Sequence, residues 1–172
     1  TEPTFRRVME EGDRITQKLI NISLIQEIYA ERAQRFAPFL RLVYTHPAII
    51  LVECALARVL LEKGFAPDAL LGYSVGEIAS LVVAGAVSLE EALTTAVRMA
   101  AVVEALAPKG GMTAVLESSE LFYQRPDWFA GSEIAGRNSP KSFIVSAAAS
   151  VHDRLANTLK ENGITALELP VC

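Results

Sequence analysis

Apolar residues recur at helical spacing through the first part of the chain and give way to short alternating runs in the last third. From Phe5 to Ile20 the apolar positions Val8, Ile15 and Leu19 stand on a polar background, which predicts a surface helix; Ser23 to Ala30 predicts a shorter second one. Ala33 to Tyr44 is irregular, with Pro38 interrupting it. Pro47 suits the first turn of a helix that runs to about Lys63, where Gly64 supplies the stop. Apolar residues cover most of that helix, so it is predicted to be buried. Asp68-Ala69-Leu70-Leu71 reads as a short strand and Glu77 to Gly85 as a helix. Ser88-Leu89-Glu90-Glu91 is a capping box that opens a helix ending near Leu106.

Beyond the break at Pro108 to Gly111 the texture changes. Met112 to Leu116 reads as a strand, Ser119 to Tyr123 as a short helix, Glu133 to Gly136 and Ser142 to Ser146 as strands, Val151 to Glu161 as an amphipathic helix, and Ile164 to Pro170 as a final strand. The order β-α-β-β-α-β is the ferredoxin-like pattern. A boundary near Gly110 therefore separates residues 1–110 from a small unit, 111–172.

Composition narrows the classes. With 51% hydrophobic and 21% charged residues, the 172-residue chain can build a real core. A net charge of −4 and a pI near 5.3 argue against a nucleic-acid-binding surface. No uninterrupted apolar run approaches the ~18 residues of a membrane span; Glu53 and Arg58 break the longest candidate, Ala48 to Val59. Two isolated cysteines, Cys54 and Cys172, without metal-type spacing, fit a reduced cytoplasmic protein. No metal or nucleotide site is supported, since neither clustered ligands nor a phosphate-binding glycine loop is present. The chain starts without Met and stops on an apparent strand, so it reads as a fragment.

Chemistry concentrates at Gly72-Tyr73-Ser74-Val75-Gly76. A strand, a tight turn centred on serine and then a helix is the setting of a nucleophile elbow. Flanking glycines allow the sharp turn and the close packing of strand on helix. Ser74 would project at the end of the strand, and the Val75 amide, at a helix N-terminus, could help stabilise an oxyanion.

Read together, the segments resemble the malonyl-transacylase-like acyltransferases of fatty-acid and polyketide synthesis. Thr45-His46-Pro47-Ala48 leads the long helix, and Gly72 to Ala79 resembles the G-H-S-x-G-E signature. Val83 to Leu89 is similar to the segment that follows it, and Asn138-Ser139-Pro140 resembles the N-S-P turn of the small subdomain. The resemblance covers essentially the whole chain. It implies an α/β fold, with an α/β-hydrolase-like core, incomplete here, and a ferredoxin-like subdomain. It also implies ping-pong transfer: an acyl thioester of coenzyme A or phosphopantetheine acylates Ser74, and a carrier-protein thiol removes the acyl group. No cofactor is implied. The implied partners are an acyl carrier protein and other synthase domains, with no nucleic acid or membrane.

Departures from the pattern bear on mechanism. The family histidine follows an L-P-V strand similar to Leu169-Pro170-Val171-Cys172, where this chain stops, and the N-terminal G-Q-G-S motif is absent. Without an identifiable base the chain as it stands is expected to turn over little. His46 replaces a glutamine near the pocket and either touches substrate or caps the helix; His152 is expected at the surface. The arginine that pairs with a malonyl carboxylate falls in register on Met99, with Arg98 one residue early, about 100 degrees away on a helix. Tyr73 stands where histidine is usual and either alters pocket polarity or packs. Glu77 suits the helix dipole, and Asn138 either contacts the pocket or serves as a turn residue.

Three functions follow: an acyltransferase acting through a Ser74 acyl-enzyme, an acyl hydrolase of the same fold clearing carrier proteins, and a non-catalytic docking domain. A generic esterase leaves the subdomain order and Asn138-Ser139-Pro140 unexplained.

Overall fold

The computed structural model describes residues 2–29 and 41–169, and the chain divides into two compact units, Thr1–Leu106 and Ala107–Cys172. Ala30, most of the irregular stretch expected after it, and the tail Pro170-Val171-Cys172 lie outside the described residues.

Among the described residues the first unit is helical: α1 (Pro3–Ile20), α2 (Leu24–Tyr29), α3 (Leu42–Glu62), α4 (Gly76–Val83) and α5 (Leu89–Leu106). Glu2 caps α1 by accepting from the Phe5 N–H at 2.7 Å, and Asn21 ends it in the left-handed conformation (φ 56°), where a short polar side chain is tolerated. The Asp13 carboxylate, buried on α1, accepts from Ser23 Oγ (2.9 Å) and the Ile25 N–H (2.9 Å), fastening α1 to the start of α2. Met9, Leu24, Ile50, Leu51, Ala55 and Leu93 form the core. Small residues of α5, Ala92, Ala96 and Ala100, are wholly or almost wholly buried. The Ser88–Glu91 capping box is reciprocal: the Ser88 N–H donates to Glu91 (2.8 Å), and the Glu91 N–H donates to Ser88 Oγ (3.2 Å).

Two sequence expectations change here. The long helix does not begin at Pro47 but at Leu42, with Pro47 inside it. Glu104 of α5 makes this start favourable by accepting from the Val43 N–H (3.1 Å) and binding Arg41 at 2.8 Å. By length and mean hydropathy the resulting 21-residue helix could cross a membrane, despite Glu53 and Arg58; its buried residues instead join the core. The expected strand at 68–71 is not formed. A strand needs a hydrogen-bonded neighbour, and among the described residues this segment has none.

The second unit contains β1 (Gly110–Val115), α6 (Glu120–Gln124), β2 (Ser132–Ser139), β3 (Ser142–Ala148), α7 (Ala149–Glu161) and β4 (Ala166–Leu169). The sheet order is β2-β3-β1-β4, antiparallel throughout, the ferredoxin-like arrangement. Phe143, Val145 and Val115 pack against Leu155 and Leu159 of α7, with Phe129 closing the cluster. His152 is buried rather than at the surface: 7% exposed, it bonds Thr113 Oγ1 at 2.9 Å and lies against Gly111, where a Cβ would meet the imidazole at 2.8 Å. The mixed α/β class therefore holds for the chain, with its sheet confined to this unit among the described residues.

Candidate active site

Ser74 has φ 55°, a left-handed backbone that serine rarely adopts. The turn is closed by the Gly76 N–H donating to the Tyr73 carbonyl (3.0 Å) and the Glu77 N–H donating to the Ser74 carbonyl (3.1 Å). A Cβ at Gly72 would lie 2.5 Å from the Gly76 carbonyl carbon and nearer still to the backbone N and Cα of Glu77. The chain entering the turn is therefore pressed directly on the first turn of α4, and only glycine fits. Gly76 is different: a Cβ there would meet the Glu53 carboxylate at 3.6 Å, an ordinary contact.

Ser74 is exposed, and Val75, half-buried, stands at the N-cap of α4. Among the described residues neither the Ser74 nor the Val75 N–H donates to a backbone carbonyl. An exposed hydroxyl on a strained turn can attack an acyl carbon, and two available amide N–H groups beside it can donate to the developing oxyanion. Strain of this kind collects at functional sites.

The other residues singled out in the sequence occupy separate places. Tyr73 adjoins Ser74 and is 65% exposed. On α5, Arg98 and Met99 both face outward, because Leu93, Ala96, Val97 and Ala100 take the inner face. His46, on α3, is half-buried; burial lowers its pKa below the ordinary imidazole value, while the negative charge of Glu104 partly opposes this. Asn138 lies in the second unit, near the end of β2, where the register shifts between Arg137 and Ser139; the turn itself is Pro140-Lys141. Asn138 is therefore a strand residue at an irregularity rather than a turn residue.

Sequence reasoning missed Glu53 and Glu104. Glu53 follows His46 by seven residues on α3, and that spacing signals a shared helix face. Glu104 is held below the usual carboxylate range, chiefly by its bonds to Arg41 and then by the Val43 amide. Cys54 is no competing nucleophile: burial and then the Glu53 charge push its thiol up to about 11. A cavity of about 270 Å³, lined by Val8, Cys54, Arg58, Val82, Val87 and Leu89 among others, lies toward the end of α4 away from Ser74.

A family profile described as an acyl transferase domain matches residues 1–171. The polyketide biosynthesis acyltransferase homolog PksD of Bacillus subtilis is 33% identical over 167 residues, covering 97% of this chain and 52% of its own length. The homolog BaeD of Bacillus velezensis is 32% identical with the same coverage of both chains. Among solved structures, the acyltransferase domain from module 8 of the salinomycin polyketide synthase aligns with a TM-score of 0.82 and 32% identity, over 98% of this chain and 40% of that one. A loading acyltransferase from the avermectin modular polyketide synthase aligns with a TM-score of 0.85 and 26% identity, over 99% of this chain and 54% of that one. The chain thus spans about half the length of the curated relatives PksD and BaeD.

Proposed function

The chain belongs to the acyl transferase domain family, and on that premise we propose that Ser74 is the nucleophile of an acyltransferase in polyketide or fatty-acid biosynthesis. The observation that carries this reading is the left-handed Ser74 (φ 55°), held between a glycine that admits no side chain and the first turn of α4. The serine oxygen attacks the thioester carbonyl, the thiolate of coenzyme A or phosphopantetheine leaves, and the acyl group stays on Ser74 as an ester. The Val75 N–H supports the oxyanion. An acyl carrier protein thiol then takes the acyl group, and other synthase domains are the natural neighbours of that carrier. The reaction needs no cofactor, and its setting is the cytoplasm. A serine hydroxyl requires a base to take its proton.

A second reading, an acyl hydrolase that passes the acyl group to water, is favoured by one observation. Met99 stands in the register of the carboxylate-binding arginine, so the acyl group it serves carries no carboxylate. On this reading His46 and Tyr73 would shape the acyl site rather than clamp a charge.

Intact mass after incubation with an acetyl or malonyl aryl thioester tests the assignment, because the good leaving group reduces the demand for a base. The expected result is a single adduct that maps to Ser74 and is lost in Ser74→Ala. No adduct, or one that survives in Ser74→Ala, overturns it. Transfer of the pre-loaded acyl group to a carrier-protein thiol supports the transferase, and release into water alone supports the hydrolase.

A further inference from the structure

The cavity of about 270 Å³ in the first unit is walled by α1, α3, α4 and the start of α5. Packed helices rarely leave a gap of this size. Val8, Cys54, Leu61, Val82, Val87 and Leu89 give it an apolar lining, and each is buried or half-buried. Cys54 belongs with the apolar residues, because its thiol, pushed up to about 11 by burial and then by the Glu53 charge, stays neutral. Ser88, at the edge, is already engaged: its Oγ donates to Glu91 at 2.7 Å and accepts from the Glu91 N–H at 3.2 Å. Among the lining residues two charged groups remain, Glu11 from α1 and Arg58 from α3, both exposed. Neither makes a hydrogen bond or an ion pair among the described residues. Glu62, one turn beyond Arg58, is held instead by Thr4 and by Arg7 (2.8 Å), and feels Arg58 only as a nearby charge.

We propose that this cavity binds a small zwitterion with an aliphatic body, the chemistry of a free aliphatic α-amino acid, its carboxylate on Arg58, its ammonium on Glu11 and its side chain among Val82, Val87 and Leu89. Size sets the first limit. At ~30 Å³ for each water-sized group, 270 Å³ holds about nine non-hydrogen atoms, as many as leucine has. Drug-sized ligands occupy pockets of about 300–1,000 Å³. Charge sets the second limit. A fatty carboxylate would leave Glu11 facing its own sign, and an alkylamine would do the same to Arg58. A zwitterion pairs with both. The guanidinium takes a carboxylate through two parallel N–H···O bonds, and an ammonium held by Glu11 fixes which way the ligand lies. Val82 and Val83 close α4 at the end opposite the Ser74 turn, roughly 10 Å along the helix axis, so occupancy of the cavity is readable without acyl transfer.

The test titrates the 172-residue chain with L-leucine by NMR, and follows modification of Cys54 by a small thiosulfonate, mapped by peptide mass. The expected result is one-to-one binding with a Kd of about 1 mM, and slower modification of Cys54 at saturation. 4-Methylpentanoate, which lacks the ammonium, and leucinamide, which lacks the carboxylate, should each bind about tenfold more weakly, as should L-leucine to Arg58→Gln and to Glu11→Gln. Val87→Phe fills the cavity and should abolish binding; if it does not fold, the two charge variants, both at exposed positions, carry the test. No binding up to about 20 mM, equal binding of 4-methylpentanoate or leucinamide, binding indifferent to both charge variants, or unchanged modification of Cys54 each overturns the proposal.

Discussion

At Ser74 two glycines that look equivalent in the sequence separate physically. A methyl group at Gly72 collides with the backbone of Glu77, which cannot move without opening the turn, whereas Gly76 has room. Gly72→Ala is expected to cost at least about 1–3 kcal/mol and to abolish acylation of Ser74. Gly76→Ala, on the first turn of α4, is expected to stay within about 1 kcal/mol of the parent and to retain the adduct. Urea titration and the mass assay check both. The strain at Ser74 has its own signature. Glycine tolerates φ 55° and alanine does not, so Ser74→Gly should be more stable than Ser74→Ala by about 1 kcal/mol, although both lose the adduct. Equal stabilities would mean that the left-handed conformation stores no strain.

Between elements, buried or clustered carboxylates do work that hydrophobic periodicity does not reveal. Asp13 joins α1 to the start of α2 through Ser23 and Ile25 and also accepts from Gln17 Nε2 (2.7 Å) within α1, so Asp13→Ala should lose about 2–3 kcal/mol and Asp13→Asn less, as read by thermal or urea unfolding. Glu104 and His46 make the α3 end acid-sensitive. Both have folded pKa values below their unfolded ones, so the unfolded chain binds protons first as the pH falls. Stability is full at neutral pH, declines below about 6.5 as His46 contributes, and declines again below about 4.3 with Glu104. Urea midpoints against pH should show His46→Gln removing the upper step alone. Most helices and the order of the small sheet were legible, because amphipathic spacing, the Ser88–Glu91 box and strand alternation are local signals. The start of α3 was not, because it depends on Glu104, 61 residues from Val43. His152 was misread for the same reason: its partners Thr113 and Gly111 come from another element. Of the candidate site, the turn and its serine were legible, while the conformation of Ser74 and the different roles of the two glycines required coordinates.

Across the whole molecule, the two units differ in how far each satisfies its own backbone and apolar surface. In Ala107–Cys172 every strand of the sheet has a neighbour, and Phe143, Val145, Leu155 and Leu159 are buried within the unit. In Thr1–Leu106 a helical core coexists with a segment, 66–72, that makes no backbone hydrogen bond among the described residues, and with the outward α5 stripe Met99, Val102, Val103 and Leu106, the last 77% exposed. Length alone puts the small unit near the lower limit for independent folding, yet chains of about 55–65 residues with a complete core do fold. Residues 107–172, expressed alone, should therefore unfold cooperatively with a stability of about 3–5 kcal/mol. Circular dichroism should retain the mixed helix and sheet signal, and exchange should be slowest at β1 and β3, the central strands. Val145→Ala, within that core, should remove about 0.5–2 kcal/mol of this stability, whereas Leu167→Ala, exposed on the edge strand β4, should leave it nearly unchanged. A non-cooperative transition, or equal losses from the two substitutions, would mean that the buried cluster around Phe143 is not what holds the sheet together.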